Sequence, residues 1–331
     1  MKGTPMMRAA AAVLVASGCL CAQDWPGWRG PGRDGKAAGF QAPKEWPKEL
    51  AKGWQVEVGE GLSTPALVEG KLYLHTRQGE DEVVLCLDAG TGKEIWKQKY
   101  PAPFTPASAA VQYGKGPFSS PTVSEGRIFA FGISGILSCL DAKTCGLVWR
   151  KDFKDDVPRA DPVWGTALSP LVTGGLCVVH VGREGKGKVL ALNVADGKAK
   201  WEWEGDGPGY ASPILATVGG KPQIITQSEF KAIGLSPADG TLLWSMDYKT
   251  AYEQNSITPV VLGDGVLLSG LGRGISAWKP IGDKPEPVWE TSEASLYMSS
   301  PVLKGDRLFG FSEKRMGQFF CLDASSGKTL W

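Results

Sequence analysis

Six times along this 331-residue chain a proline is followed at a near-constant distance by a tryptophan. The pairs are Pro65 with Trp96, Pro121 with Trp149, Pro170 with Trp201, Pro213 with Trp244, Pro259 with Trp289 and Pro301 with Trp331. Their separations are 31, 28, 31, 31, 30 and 30 residues. The prolines belong mostly to a Ser-Pro or Ser-x-Pro signal. Steps from one Trp to the next vary from 42 to 53 residues, so the added length falls between units, in loops. Such a repeat constrains the fold more than any local motif. Each unit is one supersecondary element that buries its apolar face only against its neighbours.

Within a unit the pattern is four short strands. In the first unit, residues 63–68 are strand-like and Glu69-Gly70 turns the chain. Residues 71–76 alternate, a loop with Gly79 follows, and residues 83–87 and 94–100 flank a tight turn at Asp88-Ala-Gly-Thr-Gly92. Gly and Asp supply the turn geometry. No segment beyond the first 22 residues shows a long 3.6-residue apolar period. The expected class is all-β, a β-propeller of radially arranged four-stranded blades, six of them visible. Trp54-Gln-Val-Glu-Val58 reads as a fourth strand without its own first three, only 11 residues before Pro65. Six blades with an orphan strand leave open sheet edges. The expectation is therefore a ring incomplete at its C-terminus, seven- or eight-bladed when intact.

The segment Cys86-Leu-Asp-Ala-Gly-Thr-Gly-Lys-Glu-Ile-Trp96 resembles the tryptophan-docking signature of the pyrroloquinoline-quinone-type (PQQ) β-propeller repeat. Cys86 takes the place of a leading Ala. Asn193 and Ser236 stand where the signature has Asp, Cys145 where it has Gly, and Ser326 where it has Thr. The resemblance covers about residues 54–331. It implies that Trp96, Trp149, Trp201, Trp244, Trp289 and Trp331 are structural docking residues whose indoles lie between blades. The Asp is expected to accept hydrogen bonds from turn N–H groups, and the Gly to take a positive φ.

Residues 1–22 read as a signal peptide, with Lys2 and Arg8 ahead of an apolar run at residues 9–16 too short to span a bilayer. The alternative is a lipid anchor at Cys19, which follows Ala16-Ser17-Gly18. Either implies export, to the periplasm or the outer-membrane periphery of a bacterium. Residues 23–53 are expected to form a strap packed on the ring. The competing reading gives Trp25 and Trp28 a carbohydrate or partner contact. With 36 basic and 35 acidic side chains, net +1, the chain lacks the basic excess of a nucleic-acid binder, so no nucleic-acid partner is expected. Five cysteines remain beyond residue 22. Cys86, Cys139 and Cys321 share one repeat position and read as small packing residues. A Cys145–Cys177 pair is left open.

A propeller's binding residues are expected on the loops after second strands and between units, which share one face. These nominate Arg77, Lys115, Trp164, Arg183, Tyr210, Gln227, Gln254, Asn255, Arg273, Tyr297 and Arg315 as channel-mouth residues for a protein partner or for an anionic or polyhydroxylated ligand. Gly132-Ile-Ser-Gly135 lacks the spacing of a nucleophile elbow, and Gly270-Leu-Gly-Arg-Gly274 has no helix after it. His75 and His180 fall in strand-like runs and read as packing residues. PQQ-dependent dehydrogenases share the repeat, and that resemblance implies calcium held by carboxylate and amide groups, an Asp base and a disulfide of neighbouring cysteines. This sequence has no adjacent Cys pair. The lipoprotein subunit of the outer-membrane β-barrel assembly machinery shares the repeat without catalysis. The reading is a non-catalytic binding scaffold without a cofactor; the alternative is a quinoprotein alcohol or sugar dehydrogenase using PQQ with calcium.

Overall fold

The structure is a computed structural model that describes residues 23–155, 163–183 and 185–331. The signal-peptide reading and Cys19 lie outside the described residues. Among these, no helix is long and apolar enough to cross a membrane. The first unit is an antiparallel sheet of Ala66–Val68, Lys71–Gln78, Asp81–Asp88 and Glu94–Pro101, paired in sequence order. Four more four-stranded sheets follow, spanning residues 122–152, 171–205, 214–247 and 260–291. Innermost strands of successive units approach one another, so the sheets are arranged side by side around an axis as propeller blades.

Each of these five blades has a register shift one residue before its docking tryptophan. In the first, Cys86 pairs with Trp96 but Leu87 pairs with Glu94, leaving Ile95 as the extra residue. The shift recurs at Cys139/Leu140, Ala191/Leu192, Gly234/Leu235 and Ala277/Trp278. A bulge re-aims the following side chain, and here it turns the indole toward the next blade. The residue opposite each Trp is small: Cys86, Cys139, Ala191, Gly234 and Ala277. The repeated cysteines are thus buried packing residues beneath an indole. Burial raises the Cys86 and Cys139 thiols to about 11, which leaves them protonated and inert at neutral pH.

Docking is a hydrogen bond as well as a stack. Trp54, Trp96, Trp149, Trp201 and Trp289 each donate Nε1–H to a carbonyl in the 3–4 turn of the following blade. The acceptors are Ala89, Ala142, Val194, Pro237 and Ala324, at 3.0, 3.3, 3.0, 3.1 and 3.0 Å. In four of the five turns a glycine at positive φ lies against the indole: Gly92, Gly197, Gly240 and Gly327. Three of the turns are tied by their Asp (Asp88, Asp141 and Asp323): Asp88 Oδ1 accepts from Thr91 N–H and Oγ–H, which holds its pKa low. Cys145 occupies the glycine position in the remaining turn at φ 64°, where the docking bond is the longest of the five. Replacing Cys145 by Gly should stabilise the protein by about 1 kcal/mol, because a Cβ is unfavourable in the left-handed region; urea unfolding reads this directly.

Two blades depart from the expected pattern. Trp244 faces a fifth blade whose outer hairpin, Gly274–Ile281 to Lys284–Thr291, turns tightly and has no docking loop. Trp244 instead donates to Gln223 Oε1 of its own blade at 2.6 Å. The sixth unit forms only three strands, Val302–Lys304, Arg307–Ser312 and Gln318–Asp323. Its last segment lies against them through the Leu322–Thr329 bridge, and Trp331 is 62% exposed, undocked. Cys145 and Cys177 are both free thiols, so they do not pair.

The Ser-Pro signal stitches the blades together near the axis. Thr64 N–H donates to Ser120 Oγ, Ser120 N–H to Ser169 Oγ, Ser169 N–H to Ser212 Oγ, and Thr258 N–H to Ser300 Oγ, all at 2.9–3.0 Å. Residues 25–35 lie across this inner ring. Trp25 pairs with Leu67 of the first blade, and Pro26 O accepts from Val123 N–H of the second. Arg33 donates to the Ser169 and Pro170 carbonyls of the third. Trp28 Nε1–H reaches Thr258 Oγ1 of the fifth at 2.7 Å, and Arg29 the Ser300 and Pro301 carbonyls of the sixth. Gly30 is obligatory here, because at φ 78° a Cβ would strike the ring of Trp25. This stretch is a strap that ties five blades.

Candidate functional site

At the axis the between-blade loops enclose a cavity of about 230 Å3. Trp28 of the strap and Leu62, ahead of the first blade, contribute to its wall. Tyr113 and Phe118 come from the loop into the second blade, Trp164 and Ala167 from the loop into the third, and Tyr210 and Ser212 from the loop into the fourth. Gln254, Ser256 and Thr258 precede the fifth, and Met298 the sixth. Among the described residues no charged side chain lines it. Tyr113 and Trp164 meet edge to face at 6.2 Å between centroids, and Trp164 N–H points at Tyr210 Oη. Ser212 Oγ accepts from Ser169, Ser256 Oγ donates to Tyr297 O, and Thr258 Oγ1 accepts from Trp28. Gln254 is only 4% exposed, and its Oε1 is buried with no hydrogen-bond partner.

A groove shares the Trp164 and Tyr210 walls and carries Arg183, Glu229, Lys249 and Glu253. On its rim Tyr252 and Glu253 both hold positive φ, and Tyr252 is 78% exposed. Consecutive non-glycine residues in that region are strained and need surrounding support. Asn255 provides it. Its Nδ2 donates to the Ser228 and Tyr248 carbonyls, and its own carbonyl accepts from Tyr210 and Ala211 N–H.

Of the residues nominated from sequence, Trp164, Tyr210 and Gln254 line the cavity, and Arg183 lines the groove. Tyr297 sits beside Met298, with its carbonyl fixed by Ser256. Lys115 is exposed near Glu80, Arg273 lies over the Tyr248 ring, and Arg315 is exposed beside the sixth blade. Arg77, Gln227 and Asn255 are corrections, since all three are buried and spend their donors on the fold. Arg77 donates to the Lys115, Glu80 and Ala102 carbonyls, and Gln227 to the Ile257 and Ser269 carbonyls. A second strand runs inward at its end here, so a residue just before the loop faces protein. Sequence reasoning missed Phe118, Ala167, Ser212, Ser256 and Thr258 as walls, although each lies within four residues of a repeat proline.

Arg77 belongs to a buried polar cluster joining the first two blades. Glu82, fully buried, accepts from Tyr100 Oη–H at 2.6 Å and from Ile133 N–H at 2.8 Å. His75 Nε2 lies 3.3 Å from one of its oxygens and Arg77 Nη2 3.7 Å from the other. Burial alone would raise the Glu82 pKa; the hydrogen bonds from His75, Tyr100 and Ile133 and the His75 charge outweigh it and hold the group below the ordinary range. The third blade has a counterpart: His180 Nε2 bonds Asp206 O at 2.8 Å, and burial lowers the His180 pKa to about 4. Both histidines are thus interior residues of strands Lys71–Gln78 and Leu176–Arg183.

The donors do not fit a calcium-bound anionic quinone. Such a group needs carboxylates for the metal and cations for its own carboxylates. Among the described residues the cavity wall has neither, and no group of three His, Cys, Asp or Glu side chains could hold a metal ion.

The family model for outer membrane protein assembly factor BamB matches residues 47–131 and 80–331. Among curated proteins, BamB of Yersinia pestis is 24% identical over 77% of this chain and 60% of its own length. The quinohemoprotein alcohol dehydrogenase ADH-IIG of Pseudomonas putida is 24% identical over 100% of this chain and 41% of its own. The chain thus spans well under two thirds of the length of these relatives. Among solved structures, BamB of Moraxella catarrhalis superposes with a TM-score of 0.56 at 16% identity, over 82% of this chain and 71% of that one, which supports the fold. With the repeat, the docked tryptophans and the family model in agreement over residues 47–331, this chain belongs to the PQQ-like β-propeller family described as outer membrane protein assembly factor BamB.

Proposed function

We propose that the protein is an exported, non-catalytic scaffold of the cell envelope that holds a protein partner at the mouth of its propeller, in the service of outer-membrane protein assembly. The observation that carries this reading is the wall of the axial cavity. Among the described residues it is aromatic and uncharged, with no metal-binding set, and it opens beside a groove of mixed charge. That is the composition of a recognition surface, with aromatic anchors and a polar rim. Membership of the BamB family supports the assembly role. The second reading, a PQQ-dependent dehydrogenase, rests on the similarity to ADH-IIG and requires charged groups that this wall lacks.

The test is a photo-crosslinking amino acid placed at Tyr252 in living cells, with a control at Lys143 in the 3–4 turn of the second blade. Discrete adducts with one or a few envelope polypeptides from position 252, absent from position 143, are expected. No adduct from the mouth, or equal adducts from both positions, would refute the scaffold reading.

A further inference from the structure

The axial cavity has features that select its occupant. Its volume of about 230 Å3 is smaller than the roughly 300–1,000 Å3 of sites for drug-sized ligands. It therefore takes a group the size of one side chain. Trp28, Tyr113, Phe118, Trp164 and Tyr210 present ring faces and edges, which favour another ring. The absence of a charged wall residue disfavours an anion. One buried acceptor of the wall has no hydrogen-bond partner, Gln254 Oε1.

We propose that the cavity is a socket for the side chain of a tryptophan or tyrosine of a polypeptide partner, with the ring against the aromatic wall and its N–H or O–H donated to Gln254 Oε1. The inference rests on the scaffold reading and names the chemistry by which the partner is held. A polypeptide is favoured over a free aromatic metabolite by the adjoining groove. Lys249 and Glu253 there are exposed and offer both signs of charge to the residues flanking the anchor, and the groove shares two walls with the socket. The Trp28–Thr258 bond fixes one wall of the socket, so the strap shapes the site as well as tying the blades.

Calorimetry on the full chain tests this with four probes: N-acetyltryptophanamide, N-acetylphenylalaninamide, indole and glucose. The tryptophan amide should bind saturably, about tenfold more tightly than the phenylalanine amide, whose ring has no donor for Gln254; glucose should not bind. Gln254→Leu should weaken the tryptophan amide about tenfold and leave the phenylalanine amide within about twofold, the scale of one lost hydrogen bond. Ala167→Trp, which fills the cavity from its wall, should abolish binding of both while circular dichroism and the urea midpoint show an intact fold. Equal affinity for the two amides, or no effect of Gln254→Leu, would overturn the donor assignment. Free indole binding more tightly than the tryptophan amide would overturn the polypeptide source. Undiminished binding to Ala167→Trp would place the site elsewhere. Crosslinking from position 252 does not depend on the socket being filled, so its outcome judges the scaffold reading separately.

Discussion

Replacing Glu82 by alanine should lower the unfolding free energy by about 4 kcal/mol, the scale of removing one partner from a buried charge cluster. The residue sits at the seam between two blades. Its carboxylate accepts from Tyr100 of its own sheet and from Ile133 N–H of the next, with His75 and Arg77 against it. Alanine leaves the Ile133 amide without its acceptor and the Tyr100 hydroxyl with only His75 Nε2, 3.0 Å away, among buried groups. Glutamine keeps one carbonyl oxygen and should cost less than alanine. Gly132 is fitted to the same carboxylate, since a Cβ there would overlap Glu82 Oε2; Gly132→Ala should therefore also destabilise. Equilibrium urea unfolding of the three variants gives the ranking. A loss below about 1 kcal/mol for Glu82→Ala would show that the seam is held by apolar packing alone.

Acid should weaken the fold in two separable steps. His180 has a folded pKa near 4 against 6.5 for an unperturbed imidazole, because burial disfavours its charged form. Between these values the unfolded chain binds the proton and the folded chain does not. The associated stability is fully present above pH 6.5 and is lost as pH falls toward 4, about 3 kcal/mol in all. Glu82 titrates lower. Its folded pKa is depressed, so its contribution is present above the ordinary carboxylate range and is lost only as pH falls through that lower folded value. Urea midpoints of wild type and His180→Gln at pH 7, 5.5 and 4.5 isolate the first step. The wild type should lose stability across this window and the variant should show a flatter profile; parallel profiles would mean that His180 does not carry the acid sensitivity.

The fold was legible in this sequence because its constraint is periodic. A proline and a tryptophan at constant spacing survive the decay of everything between them, so even the fifth unit was found through Pro259 and Trp289. The bulge that aims each tryptophan was not read from the sequence, because its extra residue, a branched aliphatic at Ile95, Val148, Leu243 and Val288 and a lysine at Lys200, looks like any other strand residue. What marks it is the small residue opposite, which the sequence showed as a recurring cysteine. The docking of Trp244 failed to transfer because the partner turn, not the tryptophan, was missing.

The site was read less completely, for a geometric reason. Assigning residues to loops places backbone but does not decide which way a side chain points. Trp164, Tyr210 and Gln254 turn into the cavity. Arg77, Gln227 and Asn255 come from similar positions and turn into the protein, because buried backbone carbonyls there need donors. Arg77 was the most misleading of the cations that suggested an anionic ligand, as it is spent on backbone carbonyls. The role of Trp28 as a cavity wall was not legible, since it depends on a contact with Thr258, 230 residues away.

The central claim is that the axial cavity is an uncharged recognition socket and not a quinone site. Equilibrium dialysis of the protein against PQQ with excess calcium, followed by an alcohol and aldose oxidation assay with an artificial electron acceptor, tests it most directly. The account predicts no saturable retention of quinone and no turnover. One quinone retained per chain, with substrate oxidation that depends on it, would contradict the account.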